Sequence, residues 1–159
     1  MKNVVRKTLI SVTMAAGILA TWQASAHFDD KEPLQSYRQS YFAMLAMNFG
    51  PIGAMVKGEM PWNEAALQGY ASDMAAITTL DLMRGFAPGS DKGTTRAKPE
   101  IWNNTADFES KLEDLQTSVA ALQKASQGGD KKLIAKSVGA VGQSCKSCHD
   151  DYKSKNYLY

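Results

Sequence analysis

Apolar residues recur every three or four positions through four long stretches of this chain, and turn-forming residues separate the stretches. The first, about 33–55, carries Leu34, Tyr37, Tyr41, Leu45, Asn48 and Ile52 along one stripe, with Phe42 and Phe49 beside it. That spacing predicts an amphipathic helix, and Gly50-Pro51 predicts a kink or an early end. The second follows Pro61-Trp62-Asn63, which supplies a cap, and reaches about Met83. Leu67, Tyr70, Met74, Ile77 and Leu80 form its inner stripe. In the third, Phe108, Leu112, Leu115, Val119 and Leu122 alternate steps of four and three before Gly128-Gly129 stops the run. Asp130 caps the fourth, which places Leu133, Ile134, Val138, Val141, Cys145, Cys148, His149 and Tyr152 on or near one face.

Between the second and third stretches, Gly85 to Pro99 holds three glycines and two prolines. It is too short and polar for a domain and reads as a crossover loop. Runs of β-branched residues and internal repeats are absent. The pattern therefore predicts an all-α fold, an antiparallel four-helix bundle with its cofactor site between facing helices. The fourth helix would lie across that site from the first.

The N-terminal residues change the charge and location of the protein. Lys2, Arg6 and Lys7 precede an apolar run from Leu9 to Ala20, and Ala24-Ser25-Ala26 is a cleavage sequence. Residues 1–26 thus read as a secretory signal, leaving residues 27–159 as one domain that begins at His27. The run is short for an anchor, since a span needs about 20 apolar residues. Residues 1–26 hold three basic residues and no acidic one, so 15 Lys+Arg face 16 Asp+Glu in the remainder, a balance of −1. No basic excess suggests nucleic acid as a partner, and no later segment predicts a membrane span. A bacterial periplasm is the expected location.

The two cysteines of the chain occur together, in Cys145-Lys146-Ser147-Cys148-His149. C-x-x-C-H is the attachment signature of c-type haem. Steps of three and four on a helix bring all three functional side chains to one face. Both cysteines can then form thioethers to one porphyrin while His149 offers an imidazole to the iron. Two rival readings use the same residues. A redox-active disulfide of thioredoxin type needs alternating strands and helices around it, and zinc needs further ligands, with His27 the only other histidine.

A four-helix bundle with C-x-x-C-H in its last helix resembles cytochrome c′. Blocks in the expected order carry the resemblance across the chain after the signal: Tyr37-Arg38-Gln39-Ser40, Asn48-Phe49-Gly50, Met55-Val56-Lys57-Gly58, Gly85-Phe86-Ala87-Pro88-Gly89, Lys98-Pro99-Glu100-Ile101-Trp102, and Val141 through Asp150. The resemblance implies one covalent haem c, attached through Cys145 and Cys148, with His149 as the only protein ligand to iron. It implies that Arg38 and Gln39 contact the haem propionates, with Arg96 in the loop as a further propionate-side residue. Read on its own, Arg38 also has the plainer reading of a solvated helix residue, although its place one turn before Phe42 favours the haem edge. Two departures stand out: Lys153 and Met83 occupy places where the family often has arginine and tryptophan.

In that family an apolar residue four positions after the first-helix arginine covers the distal face of the haem. Here it is Phe42, which has no donor atom and is otherwise an ordinary core aromatic. The resemblance therefore implies five-coordinate, high-spin iron that binds nitric oxide or carbon monoxide beneath a steric lid and can exchange electrons. An apolar distal face lacks the hydrogen-bond donor that dioxygen needs. No general acid or base of the peroxidase kind is visible, so the expectation is a binding protein, not an enzyme. The alternative is a low-spin electron carrier with a methionine sixth ligand. Met44 and Met47 are the candidates, about 200° and 140° around the helix from Phe42. Redox proteins are further expected partners, and homodimerisation through the first two helices stays open.

Overall fold

The chain is described here from a computed structural model that covers residues 31–158. The expected signal 1–26, its Ala24-Ser25-Ala26 cleavage sequence and His27 lie outside the described residues. In chain order the helices are α1 (Pro33–Lys57), α2 (Glu64–Thr78), the one-turn α3 (Glu100–Asn103), α4 (Thr105–Gly128) and α5 (Lys131–Tyr152), with a 3-10 helix over Leu82–Phe86. Among the described residues the only β pairing is a single antiparallel bridge between Ala97 and Lys153.

Local chemistry sets the helix ends. Asn63 accepts a hydrogen bond from the Ala66 amide at 3.0 Å, and Asp130 accepts from Lys132 and Leu133 at 2.8 and 3.3 Å. Both satisfy amides that a helix start leaves unpaired. Gly58 and Gly129 close α1 and α4 in the left-handed region, at φ 76° and 70°, where a Cβ would be strained. The predicted stripes then meet in one core. Ile52, Leu67, Val119, Leu122, Ile134 and Val141 are fully buried, and each buried aliphatic contributes about 1.5–3 kcal/mol. α4 packs on α5 and α2, and α2 on α1. α1 and α5 touch much less, because a cavity separates them.

Several sequence expectations need correction. Gly50-Pro51 does not end α1, which runs on to Lys57. Pro51 removes the bond to the carbonyl of Met47, a residue on the solvent side, where water can serve instead. α2 stops at Thr78, not near Met83. The Thr78 and Thr79 hydroxyls donate back to the carbonyls of Ala75 and Ala76, and Leu82–Phe86 continues as the 3-10 helix. Leu80 and Leu133, read as inward, are exposed. The loop after Gly85 ends in α3, which the sequence pattern does not distinguish.

Candidate haem site

The crossover loop is gripped by one face of α1. Glu32 Oε1 accepts from the Thr94 amide at 2.7 Å, Gln35 Nε2 donates to the Lys92 carbonyl at 2.7 Å, and Gln39 Nε2 to the Thr94 carbonyl at 2.8 Å. Arg38 does most of this work from a buried position, 4% exposed, which excludes its reading as a solvated residue. Its Nη1 donates to the Gly85 carbonyl at 2.7 Å and to the Ser90 carbonyl and hydroxyl, both at 3.0 Å. Nη2 donates to Thr95 Oγ1 at 3.1 Å. The guanidinium carbon lies 4.9 Å from the centre of the Phe86 ring and 5.7 Å from that of Trp102. Burial lowers its pKa, yet an arginine stays charged. Gly85 makes the close approach possible, since a Cβ there would lie 2.7 Å from Arg38 Cγ.

This loop, α1, α4 and α5 enclose a cavity of about 840 Å³. Its wall includes Cys145, Cys148, His149, Arg38, Gln39, Phe42, Arg96 and Lys153, so the residues expected to attach, ligate, contact or cover a haem reach one space. Cys145 and Cys148 are free thiols, not bonded to each other. Burial raises the pKa of Cys145 and pushes the Cys148 thiol up to about 11, so both are protonated near neutral pH. Burial, then Lys153 and Arg96, hold His149 below its ordinary value. No cluster of three metal-binding His, Cys, Asp or Glu side chains occurs among the described residues. Two half-buried thiols and an imidazole on one face of α5, beside a large apolar cavity, fit a covalently attached porphyrin.

On the α1 side, Phe42 is half-buried at the wall, edge-to-face against Tyr41 at 5.3 Å. Met44 and Met47 are 43% and 75% exposed and do not reach the cavity. Met83 is also off the wall. Arg96 lines the space while its guanidinium donates to the carbonyls of Ser154 and Lys155, at 2.9 and 2.5 Å.

Other wall residues are not evident from motif reading. Phe86, Phe108 and Tyr152 form an aromatic chain with centroid spacings of 4.7 and 5.2 Å. The Tyr152 hydroxyl donates to Asp107 and accepts from Asn104 at 3.1 Å. Lys111 bonds Ser147 at 3.1 Å and Asp151 at 3.0 Å; its place beside the Phe108–Leu112 stripe is the sequence signal for it. Met74 of α2 and Tyr157 beyond α5 complete the additions that matter below.

The sequence pattern of the family described as Cytochrome C' matches residues 34–153. A cytochrome c' of Cereibacter sphaeroides is 41% identical over 145 residues, covering 89% of this chain and 97% of its own. Among solved structures, cytochrome c prime from Shewanella frigidimarina has a TM-score of 0.76 at 40% identity, covering 80% of this chain and 99% of its own. A nitric oxide complex of a leucine-to-alanine variant of cytochrome c prime from Alcaligenes xylosoxidans has a TM-score of 0.73 at 33% identity, with coverage of 81% and 99%.

Proposed function

The chain belongs to the cytochrome c′ family and binds one covalent haem c, and on that premise we propose that it is an exported gas-binding protein whose iron has a single protein ligand. Haem c, when bound, supplies an iron that takes up a diatomic gas and changes oxidation state. Cys145 and Cys148 would hold the porphyrin through their Sγ atoms, and His149 would give its imidazole to the iron. Arg38 and Gln39, from α1, and Arg96, from the loop, would be the residues that meet the propionates. Lys153, one turn after His149, keeps positive charge beside it without the planar donor fork of an arginine.

The observation that carries this reading is the makeup of the α1 wall. Phe42 reaches the cavity and has no donor atom, whereas Met44 and Met47 point to solvent. Phe42 excludes water and must yield before a ligand settles, which selects small, strongly binding gases such as nitric oxide and carbon monoxide. The relative with bound nitric oxide supports that ligand class. The signal sequence supports a periplasmic site of action, and no helix of the described residues is long and apolar enough to cross a membrane. Electron exchange with partner proteins is compatible with the same site.

A low-spin carrier remains a second reading because Met74, buried on α2, brings a thioether to the cavity wall. Stopped-flow carbon monoxide binding to the ferrous protein separates the two. Phe42→Ala speeds association at least about tenfold, equivalent to a barrier lower by about 1.4 kcal/mol once the ring no longer has to move. An unchanged rate places the barrier elsewhere, and a methionine-ligated iron is exposed if Met74→Leu is the variant that opens the site.

A further inference from the structure

α5 ends at Tyr152, and the chain then runs alongside the loop residues Thr95 and Arg96, both on the cavity wall. Lys153 is extended and forms the single bridge to Ala97. The Ser154 amide donates to the Arg96 carbonyl at 2.8 Å and the Leu158 amide to the Thr95 carbonyl at 3.1 Å, while the Lys98 amide donates to the Tyr152 carbonyl at 3.0 Å. Arg96 closes the arrangement from its side chain, with Nε on the Ser154 carbonyl and Nη2 on the Lys155 carbonyl. The loop residues that receive the tail are themselves tied to α1, because Thr95 accepts from Arg38. Tyr157, 59% exposed, nonetheless contributes to the cavity wall. The family pattern ends at Lys153, so the tail from Ser154 lies beyond it while the loop residues that receive the tail lie within it.

We propose that Ser154–Leu158 is a strap across the mouth of the haem cavity, clamped by Arg96, and that the ring of Tyr157 makes the mouth selective by size. The inference rests on the haem reading above. It gives Arg96 a positioning role that acts through the tail: its guanidinium holds two consecutive tail carbonyls, which fixes the backbone from which Tyr157 reaches the wall. Five residues without a helix or sheet of their own hold such a position only through these bonds. Loss of the clamp therefore releases the tail as a unit. A diatomic gas passes a tyrosine-narrowed mouth through small fluctuations, whereas a ligand with an alkyl tail needs the ring to leave.

The test uses the ferrous haem-loaded protein with carbon monoxide and ethyl isocyanide as probes. Truncation after Lys153, Tyr157→Ala and Arg96→Ala each raise the ratio of isocyanide to carbon monoxide association rates at least about fivefold, by removing a steric element that acts against the larger ligand. Tyr157→Phe keeps the wild-type ratio, because the ring and not the hydroxyl fills the mouth. Hydrogen exchange supplies a readout independent of ligand binding: the Ser154 and Leu158 amides are protected in the wild type and exchange at least about tenfold faster in Arg96→Ala. An unchanged ratio after truncation, unprotected tail amides in the wild type, or tail amides that keep their protection in Arg96→Ala overturns the proposal. Failure of the premise is seen separately, before any ligand is added, as purified protein without covalent haem absorption, and that result overturns both readings.

Discussion

Replacing Arg38 by methionine keeps the side-chain length and removes a buried cation that organises one wall of the site. Four hydrogen bonds of 2.7–3.1 Å are lost, to Gly85, Ser90 and Thr95. Hydrogen bonds to a charged group contribute about 1.5–3 kcal/mol each before coupling, so the gross loss is large. Two effects reduce it. The bonds share one guanidinium and are not additive, and a desolvated charge is removed, the same desolvation that lowers the pKa of Arg38. The net expectation is destabilisation of about 2–4 kcal/mol, or a fall in Tm of about 8–16 °C for a domain of this size. Thermal melts of the haem-loaded protein followed by far-UV circular dichroism measure it, with hydrogen exchange over residues 90–95 reporting release of the loop. Arg38→Lys restores less than half of the loss, because an ammonium cannot span the same acceptors. A fall in Tm below about 3 °C for Arg38→Met, under 1 kcal/mol on the same scale, would refute the claim that this residue holds the loop.

Three further outcomes follow from single contacts. Tyr41 has its pKa pushed up to about 12 by burial and then by Tyr37, so the folded state binds its proton more tightly than the unfolded chain. Its contribution of roughly 3 kcal/mol is intact below pH 10 and is lost as pH rises toward 12; denaturant titrations at both ends show that loss, and Tyr41→Phe makes it smaller. Asp130→Ala removes the cap of α5 and lowers stability by about 1 kcal/mol, with ligand kinetics unchanged; a denaturation midpoint equal to the wild type's contradicts the cap. Gly85→Ala sets a Cβ 2.7 Å from Arg38 Cγ and 2.9 Å from Tyr37 Cδ1, and the overpacking costs about 1–3 kcal/mol in the same melts.

The parts of the fold that were legible in sequence are those where one local rule acts alone. The α4 stripe from Phe108 to Leu122 and the Asp130 cap are read directly, because period and capping chemistry both survive folding. The end of α2 is not legible: apolar spacing continues through Leu82, but Thr78 and Thr79 bond back to the preceding turn and Arg38 draws Gly85 onto α1. Pro51 is misleading for the opposite reason, since its missing bond falls on the solvent side of α1. Within the site, the attachment residues come from one pentapeptide and Arg38, Gln39 and Phe42 from one helix turn. Met74, Lys111 and Tyr157 reach the cavity from separate elements, and only the tertiary structure brings them there.

The proposed function requires His149 to hold the iron alone beneath Phe42. The absorption spectrum of the ferrous protein, recorded before and after adding carbon monoxide, addresses that point directly. A high-spin spectrum that converts to a carbon monoxide adduct is the predicted result; a low-spin spectrum that carbon monoxide leaves unchanged contradicts it.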